Sequence, residues 1–288
     1  MTIERTVSSV VEPTPTSDGA DVRLRRSIAT RQLDYLDPFL LFDHFGSDDP
    51  RAYMAGFPLH PHRGIETVTY MLDGSVAHRD SIGNEGVIGA GDVQWMTAGS
   101  GILHEEMPKA GPRRLDGFQI WVNLPRKLKM ARPRYQDVAA ARIPEHVRPD
   151  GVVVRVVAGA VDGVEGAVKE IYAEPEYLDV SMPPRRVFEQ PVPRGHTALA
   201  YVFQGEVGLG EGPAVEATRL AILGDGDVVR ARTGDRPGRF LLLSGKPLGE
   251  PIARWGPFVM NTPEEIEETL RELRAGTFLR GSRAPIRT

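Results

Sequence analysis

The sequence predicts an all-β protein made of two domains of the sandwich or barrel type. Short apolar or alternating segments recur between turn signals, as β-strands do. The 288 residues include 31 Gly and 24 Pro, which is more than average usage and typical of many short strands and turns. One pattern of strand and turn also occurs twice along the chain, which indicates two similar domains.

Predicted strands occupy both halves of the chain. Those of the first half are Asp21–Ile28, Pro38–His44, Ile65–Leu72, Gly86–Ile88, Asp92–Thr97, Ile102–Met107 and Gly117–Asn123. Those of the second half are Val152–Val157, Tyr177–Ser181, Thr197–Phe203, Arg219–Leu223, Asp227–Ala231 and Arg239–Leu243. Few long helical patterns interrupt them, so we expect a sandwich or a barrel.

One helix is predicted near the end of the chain. Thr262 is a preferred N-cap residue, Pro263 suits the first helical position, and Glu265 completes a capping box. Apolar residues then follow at the spacing of one helix face: Ile266, Leu270 and Leu273. Gly276 suits the left-handed position that ends a helix. We expect this helix to pack on the outside of a sheet.

The internal repeat consists of two matches in the same order. The segment Arg63–Gly74 resembles Arg194–Gly205, with Arg, Gly, Tyr and the final Gly at equal positions. Further along, Gly89–Val93 resembles Gly224–Val228. Two collinear matches favour a duplication over coincidence in a glycine-rich chain.

We therefore predict an N-terminal domain over residues 1–134 and a C-terminal domain over residues 135–288. A basic segment, Pro125–Pro133, precedes the boundary, with Arg134 just beyond it. Such a segment can contact phosphate or nucleic acid. No aromatic residue interleaves its charges, which favours a solvated connection between the domains.

Composition excludes several classes of protein. The chain has no Cys, which rules out disulfides, thiolate metal sites and cysteine nucleophiles. Its first residues lack the apolar stretch of a secretory signal, and no apolar run is long enough to cross a membrane. We therefore expect a cytoplasmic protein with no membrane contact. A net charge of −4 argues against a nucleic-acid partner.

Two short motifs in the first half carry the residue types of a metal site. His60 and His62 stand just before the first repeated strand, and His104 and Glu106 lie in a later one. Side chains at i and i+2 of a strand share one face, so each pair can converge, while Glu105 points away. Adjacent antiparallel strands would then present three imidazoles and one carboxylate. That donor set suits one divalent Fe(II), Mn, Ni, Cu or Zn ion per chain.

The second copy of the repeat offers no metal ligand at the corresponding positions. The repeat offsets align His60, His62, His104 and Glu106 with Pro191, Pro193, Arg239 and Leu241. The sequence thus predicts one metal site and one domain of structural character.

Other titratable residues are expected to have different roles. Glu66 shares strand parity with the histidine pair and is a candidate to lie behind the ligands. His44 and His78 are more typical of satisfied structural histidines. His146 is expected in a linker and His196 in the other half of the chain.

Long motifs in the first half resemble the pirin family, whose members have two domains of the cupin superfamily. The matching segments are LDPFLLFDHF (36–45), FPLHPHRGIETVTY (57–70), GDVQWMTAGSGILHEEMP (91–108), QIWVNLP (119–125) and PRYQ (133–136). The resemblance implies two cupin domains and one iron-type metal site in the N-terminal domain. Fe(II) is the ion expected there ahead of the others. The family's ligands fall on His60, His62, His104 and Glu106.

Two functions follow from this resemblance. Some pirins open flavonols such as quercetin with O₂, which implies a small aromatic substrate and a catalytic role for Glu106 as proton acceptor. Trp95, Met96 and Phe57 are candidate apolar walls for that substrate. Other pirins act as metal- or redox-sensing regulators that bind a protein partner, and the basic segment is then a candidate contact surface. A deep apolar pocket at the metal favours the enzyme, and an exposed metal under a flat basic face favours the sensor.

Overall fold

The computed structural model describes residues 2–109, 111 and 114–280. These residues form an almost entirely β structure, and every predicted strand is present with its ends shifted by a few residues. The all-β prediction is confirmed. Within the described part of the chain, no helix has both the length and the apolar character needed to cross a membrane.

The strands are numbered in chain order. Those up to residue 138 are β1 (Val7–Val11), β2 (Thr14–Asp18), β3 (Val22–Ile28), β4 (Phe39–Ser47), β5 (Phe57–His62), β6 (Ile65–Asp73), β7 (Val76–Asp80), β8 (Glu85–Ile88), β9 (Val93–Thr97), β10 (Ile102–Pro108), β11 (Leu115–Asn123) and β12 (Arg134–Val138). Those beyond are β13 (Glu145–Val147), β14 (Val153–Ala158), β15 (Ala160–Val161), β16 (Val164–Glu165), β17 (Glu176–Met182), β18 (Val187–Pro191), β19 (Thr197–Leu209), β20 (Val215–Glu216), β21 (Arg219–Leu223), β22 (Val228–Arg232), β23 (Gly238–Gly245), β24 (Ala253–Trp255) and β25 (Phe258–Met260). The α-helix α1 spans Pro263–Ala275, and short 3-10 turns occur at Pro50–Ala52, Arg126–Leu128 and Ala140–Arg142.

The chain divides into two compact units that are each discontinuous in sequence. The N-terminal unit contains Pro15–Ala29, Phe39–Ala140 and Leu248–Thr288. The C-terminal unit contains Met1–Thr14, Thr30–Pro38 and Ala141–Pro247. The first strand thus joins the second half of the chain, and the final helix joins the first half.

Within the described residues, the N-terminal unit has two antiparallel sheets of four or more strands, besides the two-stranded sheet of β24 and β25. The larger sheet has the strand order β12-β9-β6-β11-β4-β3-β2, and the smaller one has the order β5-β10-β7-β8. Its buried apolar residues form separate clusters, one around Phe45 and Met71 and another around Ile65 and Met96. Polar side chains therefore occupy part of its interior.

The C-terminal unit is built around the order β1-β21-β19-β23-β17-β14-β13, with β18 and β22 paired to each other. A single large cluster of buried apolar residues fills it, including Leu178, Phe188, Phe240 and Leu242. This interior is that of an ordinary two-layer domain.

The predicted helix has the predicted ends. Thr262 accepts a hydrogen bond from the backbone N–H of Glu265, whose side chain accepts from the N-cap backbone in return. Gly276 has φ +71°, the left-handed conformation that closes the last turn. The helix packs on the small β24–β25 sheet and on Phe278, with Ile266 buried between them.

Arg63 fixes the turn that follows the histidine motif. Its guanidinium is almost fully buried and donates to the carbonyl oxygens of Ser100 and Phe278 and to the hydroxyl of Thr269. It also pairs with Glu272, with 2.6 Å between Nη2 and Oε2. Helix α1 and the chain after it therefore hold the end of β5 in place.

The basic segment is only partly solvated. Lys129 is buried, and its Nζ donates to the carbonyl oxygens of Gly64 and Val259 and to Oδ1 of Asn123 at 2.7–2.9 Å. The expectation of a solvated connection is wrong for this residue, because carbonyl oxygens close to the ammonium replace its water.

Candidate metal centre

The histidine motifs lie on neighbouring antiparallel strands, as predicted. Strand β10 pairs with β5, with His104 opposite His60 and Ile102 opposite His62. The ring centroids are 4.9 Å apart for His60 and His62, 4.4 Å for His60 and His104, and 5.0 Å for His62 and His104. One ligand nitrogen from each ring lies within 4.8 Å of the others. This spacing allows the three imidazoles to hold one metal ion.

The hydrogen bonds of these rings fit metal ligands. Nδ1 of His60 lies 2.8 Å from the carbonyl oxygen of Pro58, which only accepts, so Nδ1 donates and Nε2 keeps a lone pair. Within the described residues, both ring nitrogens of His104 and Nδ1 of His62 are buried without a hydrogen-bond partner. Converging buried nitrogens without partners are expected where a metal ion is to bind.

Burial keeps two of the imidazoles neutral. Desolvation lowers the pKa of His62 and of His104 well below the usual histidine value, and neighbouring histidines lower both further. A neutral imidazole offers a lone pair to a metal without first losing a proton.

Strand β10 separates its two glutamates as the alternation predicts. Glu106 is buried on the same face as His104, whereas Glu105 is partly exposed and pairs with Arg79. The pairing of β10 with β5 shifts between His104 and Glu106, so Glu106 lies opposite Phe57. Within the described residues, the group whose donor atoms lie within 4.8 Å of one another contains the histidines and not Glu106.

The Glu106 carboxylate is held by a neighbouring hydroxyl. Burial raises the pKa of Glu106, and Oγ1 of Thr69 lies 2.9 Å from its Oε1. The same hydroxyl lies 2.6 Å from Oε1 of Gln119. A hydroxyl donates one proton, so Thr69 donates either to Glu106 or to Oε1 of Gln119 at any one time.

One histidine that was expected to be structural, His78, lies beside the site. His78 is buried on β7 directly opposite Glu106, and its Nδ1 has no hydrogen-bond partner within the described residues. Asp80, two residues further on, lies opposite His104. The period-two spacing of His78 and Asp80 matches that of His104 and Glu106, and this signal was present in the sequence.

The remaining candidates lie elsewhere. Glu66 accepts a hydrogen bond from Thr97 at 2.7 Å and does not line the cavity described below. His44 is bonded to Asp116, which agrees with a structural role. His146 and His196 belong to the C-terminal unit.

A cavity of about 570 Å³ in the N-terminal unit opens onto the site. His60, His62 and Glu106 form part of its wall. Its apolar lining comes mainly from Val22, Leu24, Phe45, Phe57, Val76 and Leu115. Phe57 lines it as expected, but Trp95 and Met96 do not. Strand alternation puts Trp95 opposite Val68 on the other face of the sheet, and Met96 packs in an apolar cluster with Ile65.

The sheet pairing corrects the second sequence match. Gly89–Val93 leads into β9, which pairs with β6 and β12, whereas Gly224–Val228 leads into β22, which pairs with β18 and β19. The two turns therefore precede different strands. By its pairing, β22 corresponds to β10 and β18 to β5.

The corrected alignment also gives no metal ligand in the second copy of the repeat. At the facing positions of β18 and β22 the buried side chains are Phe188, Gln190, Val229 and Ala231. None of these four is a common metal ligand.

Comparison with known proteins identifies the family. Residues 21–122 match the Pirin family and residues 177–279 match the Pirin C-terminal cupin domain. The chain is 45% identical to a pirin-like protein of Caulobacter vibrioides, covering 95% of this chain and 99% of the relative. It is 44% identical to the pirin of Rattus norvegicus, covering 90% of this chain and 88% of the relative. A crystal structure of quercetin 2,3-dioxygenase from Acinetobacter baumannii is 34% identical, with a TM-score of 0.87, 97% of this chain covered and 99% of that one. The chain therefore belongs to the pirin family, and its two β-domains are cupin domains.

Proposed function

We propose that this protein is a metal-dependent dioxygenase that opens the ring of a flavonol such as quercetin with O₂. The observation that carries the proposal is the cavity of about 570 Å³, which is apolar along much of its wall and bordered by His60, His62 and Glu106. A concave apolar site with a few convergent polar groups fits a small aromatic ligand. The similarity to the quercetin 2,3-dioxygenase of Acinetobacter baumannii supports this class of substrate.

The proposed metal ligands are His60, His62, His104 and Glu106, and the proposed ion is Fe(II), one per chain. Imidazole and carboxylate donors also suit Mn, Ni, Cu and Zn, so direct metal analysis has to identify the ion. A metal bound there would supply a Lewis acid that lowers the pKa of a hydroxyl and open positions for substrate and O₂. The same proposal assigns this site to the domain predicted over residues 1–134 and no metal ligands to the domain predicted over residues 135–288, although the first strand and the final helix each belong to the other compact unit.

Glu106 is the proposed acceptor of the proton from the flavonol 3-hydroxyl. Burial raises the pKa of Glu106, which favours uptake of a proton by its carboxylate. Thr69 holds Oε1 by hydrogen bonding, which fixes the orientation of the carboxylate while it accepts the proton.

The apolar wall has its own task. Leu24, Phe45 and Leu115 are buried side chains that line the cavity, and with a ligand bound they would exclude water from it. Exclusion of water strengthens the electrostatic interactions of Glu106 with a bound ligand. It also protects an electron-rich ring from side reactions with solvent.

The test is metal analysis of anaerobically purified protein, followed by an aerobic assay with quercetin and an oxygen electrode. We expect one metal ion per chain and consumption of O₂ in proportion to quercetin. A metal- and redox-sensing protein would bind the metal fully and show no O₂ uptake above free-metal controls. That outcome would leave the metal site in place and remove the dioxygenase proposal.

A further inference from the structure

One row of side chains crosses the larger sheet of the N-terminal unit and is polar throughout. Its members are direct cross-strand neighbours on β3, β4, β11, β6, β9 and β12: Arg26, Asp43, Gln119, Thr69, Gln94 and Asp137. Direct neighbours share a face of the sheet. Since Asp43, Thr69 and Gln94 are buried, this row lies where a sandwich normally places apolar residues.

Packing does not explain the charged end of this row. Arg26 donates to both carboxylate oxygens of Asp43 at 2.7 and 2.6 Å, and Asp43 is 3% exposed. Replacing such a buried ion pair by apolar residues is often neutral or stabilising, so stability alone gives no reason for it. What distinguishes this pair is its position, because both of its residues line the cavity and can reach a ligand there.

The row connects the charged pair with the candidate metal centre. Arg26, Asp43, Gln119 and Thr69 all line the cavity, and Thr69 contacts Glu106. Neighbouring strands lie about 4.8 Å apart, so Asp43 is about 10 Å and Arg26 about 14 Å from Thr69 along the row. The part of the row that lines the cavity thus has the charged pair at one end and Thr69 at the other, with Gln119 between them. Apolar side chains form much of the remaining wall.

These positions define a ligand with oxygen groups at both ends and an apolar plane between them. Each oxygen of Asp43 accepts one bond from Arg26 and has a second lone pair for a ligand hydroxyl. Nη2 of Arg26 also donates to Asp18 at 2.6 Å, so the N–H donors left for the same hydroxyl oxygens are those of Nη1. Two adjacent hydroxyls on an aromatic ring meet both requirements.

We propose that Arg26 and Asp43 form the specificity subsite for the ring hydroxyls of a planar polyphenol whose other end lies at Glu106 and the histidines. The proposal rests on the proposed function for the identity of that other end. It adds that the residues that select the ligand lie far from the reacting end. They distinguish ligands by the number of hydroxyls on the remote ring.

The experiment measures binding without turnover. Quercetin, kaempferol and galangin share the 3-hydroxy-4-keto end and carry two, one and no hydroxyls on the remote ring. Their dissociation constants for metal-loaded protein are measured anaerobically by fluorescence quenching. Since a hydrogen bond to a charged group is worth about tenfold to a hundredfold in affinity, the wild type should bind quercetin at least tenfold more tightly than galangin.

The variant Asp43→Asn should weaken quercetin binding about tenfold and leave galangin binding nearly unchanged, which removes the preference. If this variant does not fold, Arg26→Lys takes its place, because lysine keeps the charge and loses the two-pronged contact. An unchanged preference in the folded variant overturns the proposal. Equal binding of the three flavonols by the wild type also overturns it.

The C-terminal unit offers a matched control. Asp179 is 1% exposed and accepts from Arg239 at 2.9 and 2.6 Å, an ion pair of the same kind away from the cavity. Asp179→Asn should leave the quercetin preference intact. Loss of preference in both variants would indicate general destabilisation and overturn the proposal.

The assay separates this proposal from the proposed function. A protein that shows the preference and loses it in Asp43→Asn, but consumes no O₂, keeps the subsite and lacks the dioxygenase activity. A protein that consumes O₂ equally well with all three flavonols, and binds them equally, has the activity and lacks the subsite.

Discussion

The two halves of the chain repeat one arrangement of strands and fill it in opposite ways. The row that is polar in the N-terminal unit has an apolar counterpart in the C-terminal unit: Val156, Leu178, Leu242, Ala200 and Ala221, all direct neighbours and fully buried. In the repeat, Thr69 corresponds to Ala200. The C-terminal unit shows that this fold closes well on an apolar interior.

The difference teaches which polar residues the fold does not require. An interior with a cavity, three histidines and a buried ion pair gives up packing that the C-terminal unit retains. Such local departures from an apolar core are expected at functional sites. The following predictions test this contrast, beginning with the largest expected effect.

Metal binding should belong to the N-terminal unit alone. His104→Ala should lose most of the bound metal, because it removes one of three converging imidazoles. The controls His146→Ala and His196→Ala, in the C-terminal unit, should retain one ion per chain by elemental analysis. Two tightly bound ions per chain in the wild type would contradict the contrast between the units.

The two glutamates of β10 should differ strongly in turnover. Glu106→Gln removes the buried carboxylate, so it should lower the rate of quercetin breakdown on the order of 10²-fold or more and weaken metal binding. Glu105→Gln affects a partly exposed partner of Arg79 and should change neither. An inactive Glu105 variant beside an active Glu106 variant would show that the wrong face of the strand was assigned.

A polar substitution in the apolar row of the C-terminal unit should lower stability more than an apolar substitution in the polar row of the N-terminal unit. Leu242→Gln puts an amide into a fully buried apolar row and should lower the free energy of unfolding by about 3 kcal/mol. Gln119→Leu exchanges one hydrogen bond to Thr69 for apolar burial and should change it by less than about 1 kcal/mol. Urea unfolding measures both. Equal losses would mean that the polar row is structural.

The C-terminal unit has a buried carboxyl of its own, that of Glu176. This group should make the free energy of unfolding depend on pH. Burial raises the pKa of Glu176 from 4.5 to about 8, and its Oε1 has no hydrogen-bond partner within the described residues. The folded state then holds a proton that the unfolded state releases, so this contribution to stability is complete below pH 4.5 and lost as the pH rises through 8. The slope between these values should approach about 1.4 kcal/mol per pH unit.

Glu176→Gln should remove that slope. Urea midpoints at pH 6 and pH 9 should fall less with pH in the variant than in the wild type. The exposed Glu174 nearby provides the control, since Glu174→Gln changes the same charge without burial. If the wild type and Glu176→Gln show the same dependence on pH, the carboxyl is ionised in the folded protein.

The sequence was most informative about features that depend on the short repeat of a strand or a helix. Alternation of side chains placed Glu106 inside and Glu105 outside, and the capping pattern of Thr262, Glu265 and Gly276 gave both ends of α1. Both features depend only on residues a few positions apart. The assignment of His60, His62, His104 and Glu106 as metal ligands remains a prediction.

The sequence failed where pairing partners lie far apart along the chain. The turns Gly89–Val93 and Gly224–Val228 look alike but precede different strands, because a Gly-Asp turn precedes a strand without fixing its partner. Trp95 was expected as an apolar wall of the cavity, yet the pairing of β9 with β6 turns it to the other face of the sheet.

By itself, the sequence determined the all-β class and the helix with its caps, since strand parity and helix capping are local. It also predicted the four residues of the candidate metal centre. Only the tertiary structure decided that β1 joins the C-terminal unit and α1 the N-terminal one. It also decided that Arg26, Asp43, Gln119 and Thr69, drawn from distant strands, form one row. The register between strands distant in sequence depends on how the whole interior packs, and no short segment encodes that.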